Sequence, residues 1–219
     1  MDGGRLIAKG SRSCVFIPSL PCSGEDKVIN EKVSKIMFGK KAKEVVKQEK
    51  KLNKRIISIK NSNKWAITFE DFCKPKKLTD LTKIDLQGMQ DCLRGEDYSL
   101  AIDFNKNSQM MIGDYGGITF EKYFVEHFSN IKDLKKMENE FLKLIRLMKT
   151  LFTGLVEMEE NNIVHKDIKY NNIVLHNGTF KFIDFGLSSL LGNIKHFKKR
   201  SISEFSTSRI YTWYPIEYI

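Results

Sequence analysis

The chain has 219 residues, of which 41% are hydrophobic and 29% are charged. This composition excludes wholesale disorder and allows one domain or two small lobes with a packed core. The formal net charge is +10. Charge balance alone is weak support for nucleic-acid binding, so we expect the lysine-rich stretches to be solvated and do not expect a nucleic-acid partner.

The sequence shows no targeting signal and no metal-binding cysteine motif. No apolar run approaches the ~20 residues that a membrane span needs, and the N-terminus lacks a signal-peptide core. The four cysteines are scattered without a CxxC pair, at positions Cys14, Cys22, Cys73 and Cys92. We therefore expect free thiols in a reducing compartment, a cytoplasmic location and no membrane contact.

The first half of the chain reads as strands around one helix. "RLIAKGSRSCVFIPS" predicts two strands joined by a turn of small residues, and a third strand follows at 33–38. "KKAKEVVKQEKKLNKRIISI" has apolar residues at helical spacing and predicts a helix. Further on we expect strands in "KWAITFEDF", "YSLAIDF" and "QMMIGDY" and a short helix in "LTKIDLQGMQDCL".

The second half is more helical. Gly116 and Gly117 break the pattern and mark a joint between the halves. A long helix is predicted over "NIKDLKKMENEFLKLIRLMKTLFTGLVEMEENN". Its apolar stripe consists of Phe141, Leu144, Ile145, Met148, Leu151, Phe152 and Leu155. Strands before the joint and helices after it indicate an α+β fold.

The stretch "HKDIKYNNIVLHNGTFKFIDFG" carries the chemistry. Phosphoryl transfer needs metal ions on oxygen ligands, a positioned acceptor hydroxyl and cations near the phosphates. Asn172 and Asp184 offer oxygen ligands for Mg²⁺, Asp167 can orient a hydroxyl, and Lys169 can neutralise phosphate charge. A β-hairpin with "HNGT" as its turn would bring Asn172 and Asp184 side by side.

"HKDIKYNN" followed by "DFG" resembles the catalytic loop and metal-binding motif of eukaryotic-type protein kinases. The resemblance implies a two-lobed kinase fold, with a β-rich N-lobe over 1–112 and a mainly helical, incomplete C-lobe over 113–219. It also implies ATP and Mg²⁺ as cofactors. Asp167, Lys169 and Asn172 take catalytic roles, and Asn172 and Asp184 hold the metal.

The same resemblance assigns nucleotide-binding residues. "AKGSRSCV" stands where the family has its glycine-rich loop, and Lys35 in "VSKIM" stands where it has a phosphate-binding lysine. Glu49 is the expected partner of Lys35, with Glu44 as the alternative. Met111 and Ile112 would line the adenine pocket or serve simply as strand core. The loop positions are Ala8, Gly10, Ser13 and Val15.

Three features depart from the family pattern. Lys166 replaces the arginine that normally grips a phosphorylated activation loop, so activity is expected not to depend on loop phosphorylation. Two glycines of the loop are replaced, which weakens the expected hold on ATP. The sequence ends at Ile219, before the remaining C-lobe helices of a kinase, so it is a fragment, a split or truncated gene product, or a minimal kinase. If nothing replaces those helices, we expect an exposed apolar patch and a partner that covers it.

The tail resembles the end of an activation segment. Pro215 and Glu217 in "YPIE" stand where the family closes this segment. Together with the 60–108 region, this variant is similar to kinases of large DNA viruses, which implies host cytoplasm or virion. Autophosphorylation is chemically reasonable at the neighbouring hydroxyls of Ser201, Ser203, Ser206, Thr207 and Ser208.

The resemblance implies a kinase that transfers the γ-phosphate of ATP to Ser or Thr hydroxyls of proteins. Lys169, two residues after Asp167, favours Ser/Thr over Tyr specificity. Two alternatives stay open: a truncated or inactive kinase-like module that acts by binding a partner, and a small-molecule kinase. A P-loop protein is excluded because "FGKKA" lacks the Ser/Thr and the upstream glycine of that motif.

Overall fold

The computed structural model describes residues 4–10, 12–25, 31–93, 104 and 106–191. The chain forms two compact units, Met1–Lys54 with Thr68–Tyr115, and Arg55–Ile67 with Gly116–Ile219. The main boundary of this division follows Tyr115. The lobe boundary after residue 112 stays a prediction. Residues 55–67 are the part of the N-terminal half that joins the second unit.

The first unit is built on one antiparallel sheet of five strands, in the order β1-β2-β3-β5-β4. The strands are β1 (Arg5–Gly10), β2 (Ser13–Ile17), β3 (Lys32–Met37), β4 (Phe69–Cys73) and β5 (Gln109–Asp114). Each lies within or next to a segment where strand patterning predicted it. The further strand predicted at 98–104 falls outside the described residues except for Phe104, which is helical.

The register of this sheet separates its residues onto two faces. Val15 pairs with Lys35, and Lys35 pairs with Met111, so these three side chains share one face. The alternate positions point the other way and form an apolar cluster on the opposite face. That cluster includes Cys14, Phe16, Ile36, Met110 and Ile112.

Two helices of the N-terminal half lie wholly within the described residues. The helix α1 (Ala42–Ile57) buries Val46, Glu49 and Leu52 and exposes all of its lysines except the half-buried Lys50, as its amphipathic pattern predicts. The helix α2 (Lys83–Leu93) starts with a reciprocal cap: Thr82 Oγ1 accepts from the Asp85 amide at 3.2 Å and donates to the Asp85 carboxylate at 2.8 Å. Met89 and Cys92 of α2 pack into the apolar cluster.

The prediction of free thiols is wrong, because all four cysteines are paired. Cys14 in β2 is bonded to Cys92 in α2, and Cys22 is bonded to Cys73 in β4. The partners are 78 and 51 residues apart, so no short-range spacing of cysteines in the sequence indicates the pairs. Loop closure over such distances stabilises the folded chain by about 4 kcal/mol per bond.

As far as Leu191, where its description ends, the second unit combines two small sheets with two α-helices. One sheet has the order β6-β8-β9 and the other pairs β7 with β10. The helices are α3 (Phe120–Phe128) and α4 (Leu134–Glu160), capped at their N-termini by Thr119 and Asp133. The strands are β6 (Ile118–Thr119), β7 (Ile163–Val164), β8 (Ile173–His176), β9 (Thr179–Phe182) and β10 (Ser189–Leu190).

Trp65 anchors the 55–67 segment within this unit. Its side chain is fully buried, and its Nε1 donates to Glu157 of α4 at 2.8 Å. The backbone of Trp65 accepts from Phe182 at 2.7 Å, which joins the segment to β9. Gly154 of α4 faces the indole so closely that an added Cβ would lie 2.9 Å from three Trp65 side-chain atoms.

The long helix α4 buries only part of its apolar stripe. Leu144 and Leu151 are buried, whereas Phe141, Ile145 and Phe152 are about half exposed. Between residues 4 and 191, wherever the chain is described, no helix combines the length and apolarity needed to cross a membrane.

Candidate active site

The polar cluster of the second unit lies between β7 and β8. β7 pairs with β10, which holds Val164 opposite Ser189. A single 3₁₀ turn, Tyr170–Asn172, then leads directly into β8. Short strands on both sides therefore fix the ends of the loop that carries Asp167 and Lys169.

Asp167, Lys169 and Asn172 come together around one carboxylate. Nδ2 of Asn172 donates to Oδ2 of Asp167 at 2.7 Å and to its backbone oxygen at 2.9 Å. Nζ of Lys169 lies 3.0 Å from the same Oδ2. Asp167 and Asn172 are both about 5% exposed. A buried carboxylate is tolerated only with such partners, so the cluster is a fixed arrangement of charge.

His165 supports this loop, a role that the sequence analysis did not assign. Its Nε2 lies 3.1 Å from the carbonyl oxygen of Ile183, and its Nδ1 lies 3.3 Å from the backbone nitrogen of Asp167. A carbonyl only accepts and an amide N–H only donates, so the proton is on Nε2 and Nδ1 is the acceptor. Burial lowers the pKa of His165 below its usual value, which keeps the ring neutral. The sequence signal that could have indicated this role is the His-x-Asp spacing of His165 and Asp167.

The predicted hairpin follows the cluster. β8 and β9 pair in register from Ile173 with Phe182 to His176 with Thr179. Asn177 and Gly178 have φ values of 49° and 75°, as a two-residue type I′ turn requires. The Ile183 amide donates to the Asn172 carbonyl at 3.0 Å, so the hairpin returns the chain beside Asn172 one residue before Asp184.

Asp184 itself adopts an uncommon backbone conformation. Its φ of 60° and ψ of 70° lie in the left-handed region, and its carboxylate accepts from the Gly186 amide at 3.4 Å. The following Phe185 is buried, and its ring centroid lies 4.7 Å from that of His165. The bend thus buries Phe185 while the Asp184 side chain stays partly exposed.

The first unit contains the expected ion pair. Nζ of Lys35 lies 3.4 Å from Oε1 of Glu49, and both side chains are buried. Nζ of Lys35 also lies 5.9 Å from the centre of the Phe69 ring. The alternative partner Glu44 is exposed. The structure therefore joins Lys35 to the residue that the sequence put first.

The glycine-loop positions lie on the β1–β2 hairpin of the same sheet. Ala8 pairs with Val15, and Gly10 pairs with Ser13 across a two-residue connection. A Cβ on Gly10 would lie 2.9 Å from Oγ of Ser13, so a larger residue here would require the Ser13 side chain to move. The hairpin places Ser13 and Val15 on the face that also carries Lys35.

Met111 and Ile112 do not share a face. Met111 is fully buried opposite Lys35, whereas Ile112 pairs with Ser34 and belongs to the cluster under α2. The sheet alternation therefore gives Ile112 the simple core role that the sequence left open. The adenine-lining role of Met111 and of Ile112 stays a prediction.

Other sequence predictions concern Lys166, which precedes Asp167, and the C-terminal tail. Lys166 is buried, with a φ of 64°. The tail residues Pro215 and Glu217 lie outside the described residues, as do the hydroxyls between Ser201 and Ser208.

Residues 104–212 match the family model of the protein kinase domain. This match supports a eukaryotic-type protein kinase. The fold is that of a kinase domain, with a β-sheet-rich N-terminal region and helices after it. The match also supports phosphotransfer by a kinase. Inside the matched range lie Asp167, Lys169, Asn172 and Asp184, whereas the β1–β2 hairpin, Lys35 and Glu49 precede it.

The oxygen atoms of Asn172 and Asp184 are of the kind that Mg²⁺ prefers as ligands. Among the described residues no three His, Cys, Asp or Glu side chains gather as a metal site, which Mg²⁺ does not require because it keeps waters and substrate oxygens as ligands. The nitrogen of the Asn172 amide is used on Asp167, so its oxygen is the atom left for a metal. The Asp184 carboxylate is the second hard oxygen donor.

Proposed function

We propose that this kinase transfers the γ-phosphoryl group of ATP to Ser or Thr hydroxyls of protein substrates, with Mg²⁺ as the metal. The observation that carries the proposal is the contact of Lys169 and Asn172 with the single Asp167 carboxylate. Such an arrangement combines a proton acceptor with a cation, and phosphoryl transfer relies on positioning and on charge stabilisation rather than on covalent chemistry.

In this mechanism Asp167 orients the substrate hydroxyl and accepts its proton as the oxygen attacks phosphorus. Asn172 fixes the rotamer of Asp167, since one Nδ2 reaches both the carbonyl and the carboxylate. Lys169 lies within an ion-pair distance of Asp167 and stabilises charge on the transferred group. Asp184 and Asn172 would hold Mg²⁺, which when bound neutralises charge on the phosphate oxygens.

The first unit contributes the nucleotide-binding residues in this proposal. Lys35 is buried and is held by Glu49, so its ammonium is fixed in place before ATP arrives. A preset cation binds phosphate oxygens with a smaller entropy loss than a mobile lysine. Small residues at Ala8, Gly10 and Ser13 permit close approach of the hairpin backbone to phosphates.

Ser/Thr specificity rests on Lys169, two residues after Asp167, as in the family pattern. The likeness to kinases of large DNA viruses, and the cellular location that it implies, rest on sequence resemblance and stay predictions.

The proposal is tested by incubating the full chain with radiolabelled Mg-ATP and with basic and acidic protein substrates. Phosphoamino-acid analysis should find phosphoserine or phosphothreonine. The Asp167→Asn variant should lose this transfer, while the exposed control Asp80→Asn should retain it. Phosphotyrosine alone would refute the Ser/Thr assignment. Transfer to aminoglycosides or choline but to no protein would favour a small-molecule kinase. ATP binding without transfer to any acceptor would favour a kinase-like binding module.

A further inference from the structure

The helix α2 lies on the back of the β1–β2 hairpin. Its Asp85 carboxylate, which is 1% exposed, accepts from the Gly4 amide at 2.6 Å. Gly88, one turn further, leaves room for the Gly4 backbone, because a Cβ on Gly88 would collide with the Gly4 carbonyl oxygen. The entry to β1 is therefore held directly against α2.

A covalent bond joins the second strand of the hairpin to the same helix. Cys14 in β2 is bonded to Cys92 in the last turn of α2, and both residues are fully buried. Cys14 stands between Ser13 and Val15, whose side chains point to the opposite, Lys35-bearing face of the sheet. The disulfide thus fixes β2 from behind at the position flanked by two proposed nucleotide-binding residues.

We propose that Cys14 and Cys92 are positioning residues for ATP, and that the oxidation state of their disulfide controls nucleotide affinity. The inference rests on the proposed function, because it assigns the hairpin to ATP binding. With the bond intact, α2 holds both strands in the binding geometry. After reduction, β1 keeps its contact through Asp85, whereas β2 loses its covalent link.

The reaction is thiol–disulfide exchange with a dithiol reductant. Because both cysteines are fully buried, exchange requires local opening of the hairpin from α2. One thiolate of the reductant then attacks a sulfur of the Cys14–Cys92 bond, and the other cysteine sulfur leaves as a thiolate. The second thiol of the reductant then displaces the remaining cysteine from the mixed disulfide. Two electrons and two protons pass to Cys14 and Cys92, and the reductant becomes an intramolecular disulfide.

The second disulfide provides the matched control. Cys22 and Cys73 link the segment after β2 to β4, and this bond includes no residue of α2, although both cysteines border the same apolar cluster. The variant Cys22→Ser/Cys73→Ser retains only the Cys14–Cys92 disulfide, which is the bond proposed to control ATP affinity. The variant Cys14→Ser/Cys92→Ser retains only the Cys22–Cys73 disulfide. Thiol titration in denaturant verifies the oxidation state of each protein.

Calorimetric titration with Mg-ATP measures the dissociation constant before reduction with dithiothreitol, after it, and after reoxidation. In Cys22→Ser/Cys73→Ser we expect reduction to raise the Kd reversibly by on the order of tenfold, if the competent hairpin population falls to about one tenth. In Cys14→Ser/Cys92→Ser the Kd for Mg-ATP should already be high before reduction and should not change on reduction. Hydrogen exchange should speed up in β1 and β2 but not in α4.

An unchanged Kd on reduction of Cys22→Ser/Cys73→Ser would overturn the inference and leave the proposed function intact. Cooperative unfolding of that variant on reduction, seen as fast exchange in α4 as well, would also overturn it, since the bond would then serve general stability. Failure of the oxidised wild-type chain to bind Mg-ATP would instead refute the proposed function, and with it the assignment of the hairpin to ATP.

Discussion

Asn172 holds Asp167 at two points with one nitrogen: its Nδ2 lies 2.9 Å from the Asp167 carbonyl oxygen and 2.7 Å from Oδ2. Backbone and side chain of Asp167 are thereby fixed together. A freely rotating carboxylate would have to be ordered at each catalytic step, whereas this one is oriented before the substrate arrives.

Asp167→Asn should lower kcat far more than it changes the KM for ATP. The amide keeps the shape of the side chain but cannot accept the proton, and loss of a general base costs roughly 10²–10⁴ in rate. Steady-state kinetics with a protein substrate separate the two constants. If only the KM for ATP rises, the catalytic assignment of Asp167 is wrong.

Asp184→Ala should reduce transfer by about a thousandfold, since metal stabilisation of the transition state contributes several kcal/mol. The exposed residue Glu138 on α4 offers a control in Glu138→Ala, which should keep full activity. Electron paramagnetic resonance with Mn²⁺ and a non-hydrolysable ATP analogue should show weakened metal binding only in Asp184→Ala. Equal Mn²⁺ affinity in both variants would argue against the metal role.

Glu49→Gln should raise the KM for ATP by about tenfold, because Lys35 loses the charged partner at 3.4 Å that holds it. It should also lower stability, since one charge of a buried pair remains without its counterpart. Glu44→Gln, on the same helix but exposed, is the matched control and should match the wild type in both measurements. An equal effect of the two substitutions would remove the special role of Glu49.

Stability should fall as the pH drops below about 6.5, the usual pKa of histidine. The pKa of His165 is lowered in the folded chain by burial. As the pH falls, the unfolded state therefore binds a proton at a higher pH than the folded state does. The contribution of His165 to the free energy of unfolding is present above its pKa in the unfolded chain and is lost as the pH falls through its pKa in the folded chain. The slope is at most about 1.4 kcal/mol per pH unit. Urea unfolding between pH 5 and 8 measures this slope.

The His165→Gln variant is the test of that assignment. It lacks the titrating ring, so its stability should depend less on pH over the same range, although its absolute stability is lower. A wild-type slope that persists unchanged in His165→Gln would place the titrating group elsewhere.

Gly154→Ala should destabilise the second unit. The new methyl group would lie 2.9 Å from the fully buried Trp65 side chain. Overpacking of this kind costs about 1–3 kcal/mol, which exceeds the roughly 1 kcal/mol that alanine gains over glycine in a helix. Chemical denaturation should show the loss, while Val156→Ala, at a position that is 54% exposed, should stay within about 0.5 kcal/mol of the wild type.

The sequence alone determined the features that depend on neighbouring residues. The Asn-Gly turn requires positive φ at two successive positions, and the β8–β9 hairpin follows from it. Asp167, Lys169 and Asn172 lie within six residues, so one short loop was enough to gather them. Strand patterning and helical spacing likewise predicted segments that contain β1 to β5 in part or in full, and the long helix α4, because these periods follow from backbone geometry.

Tertiary structure decided what depends on distant segments. Cys14 and Cys92 are 78 residues apart, and only the packing of α2 on the back of the sheet makes them partners. The separation of Met111 from Ile112 depended on the register of β5 against β3, since a shift by one residue would exchange their faces. The neutral state of His165 depended on burial beside Phe185 and on the carbonyl of Ile183, and a local spacing encodes neither the desolvation nor the distant acceptor.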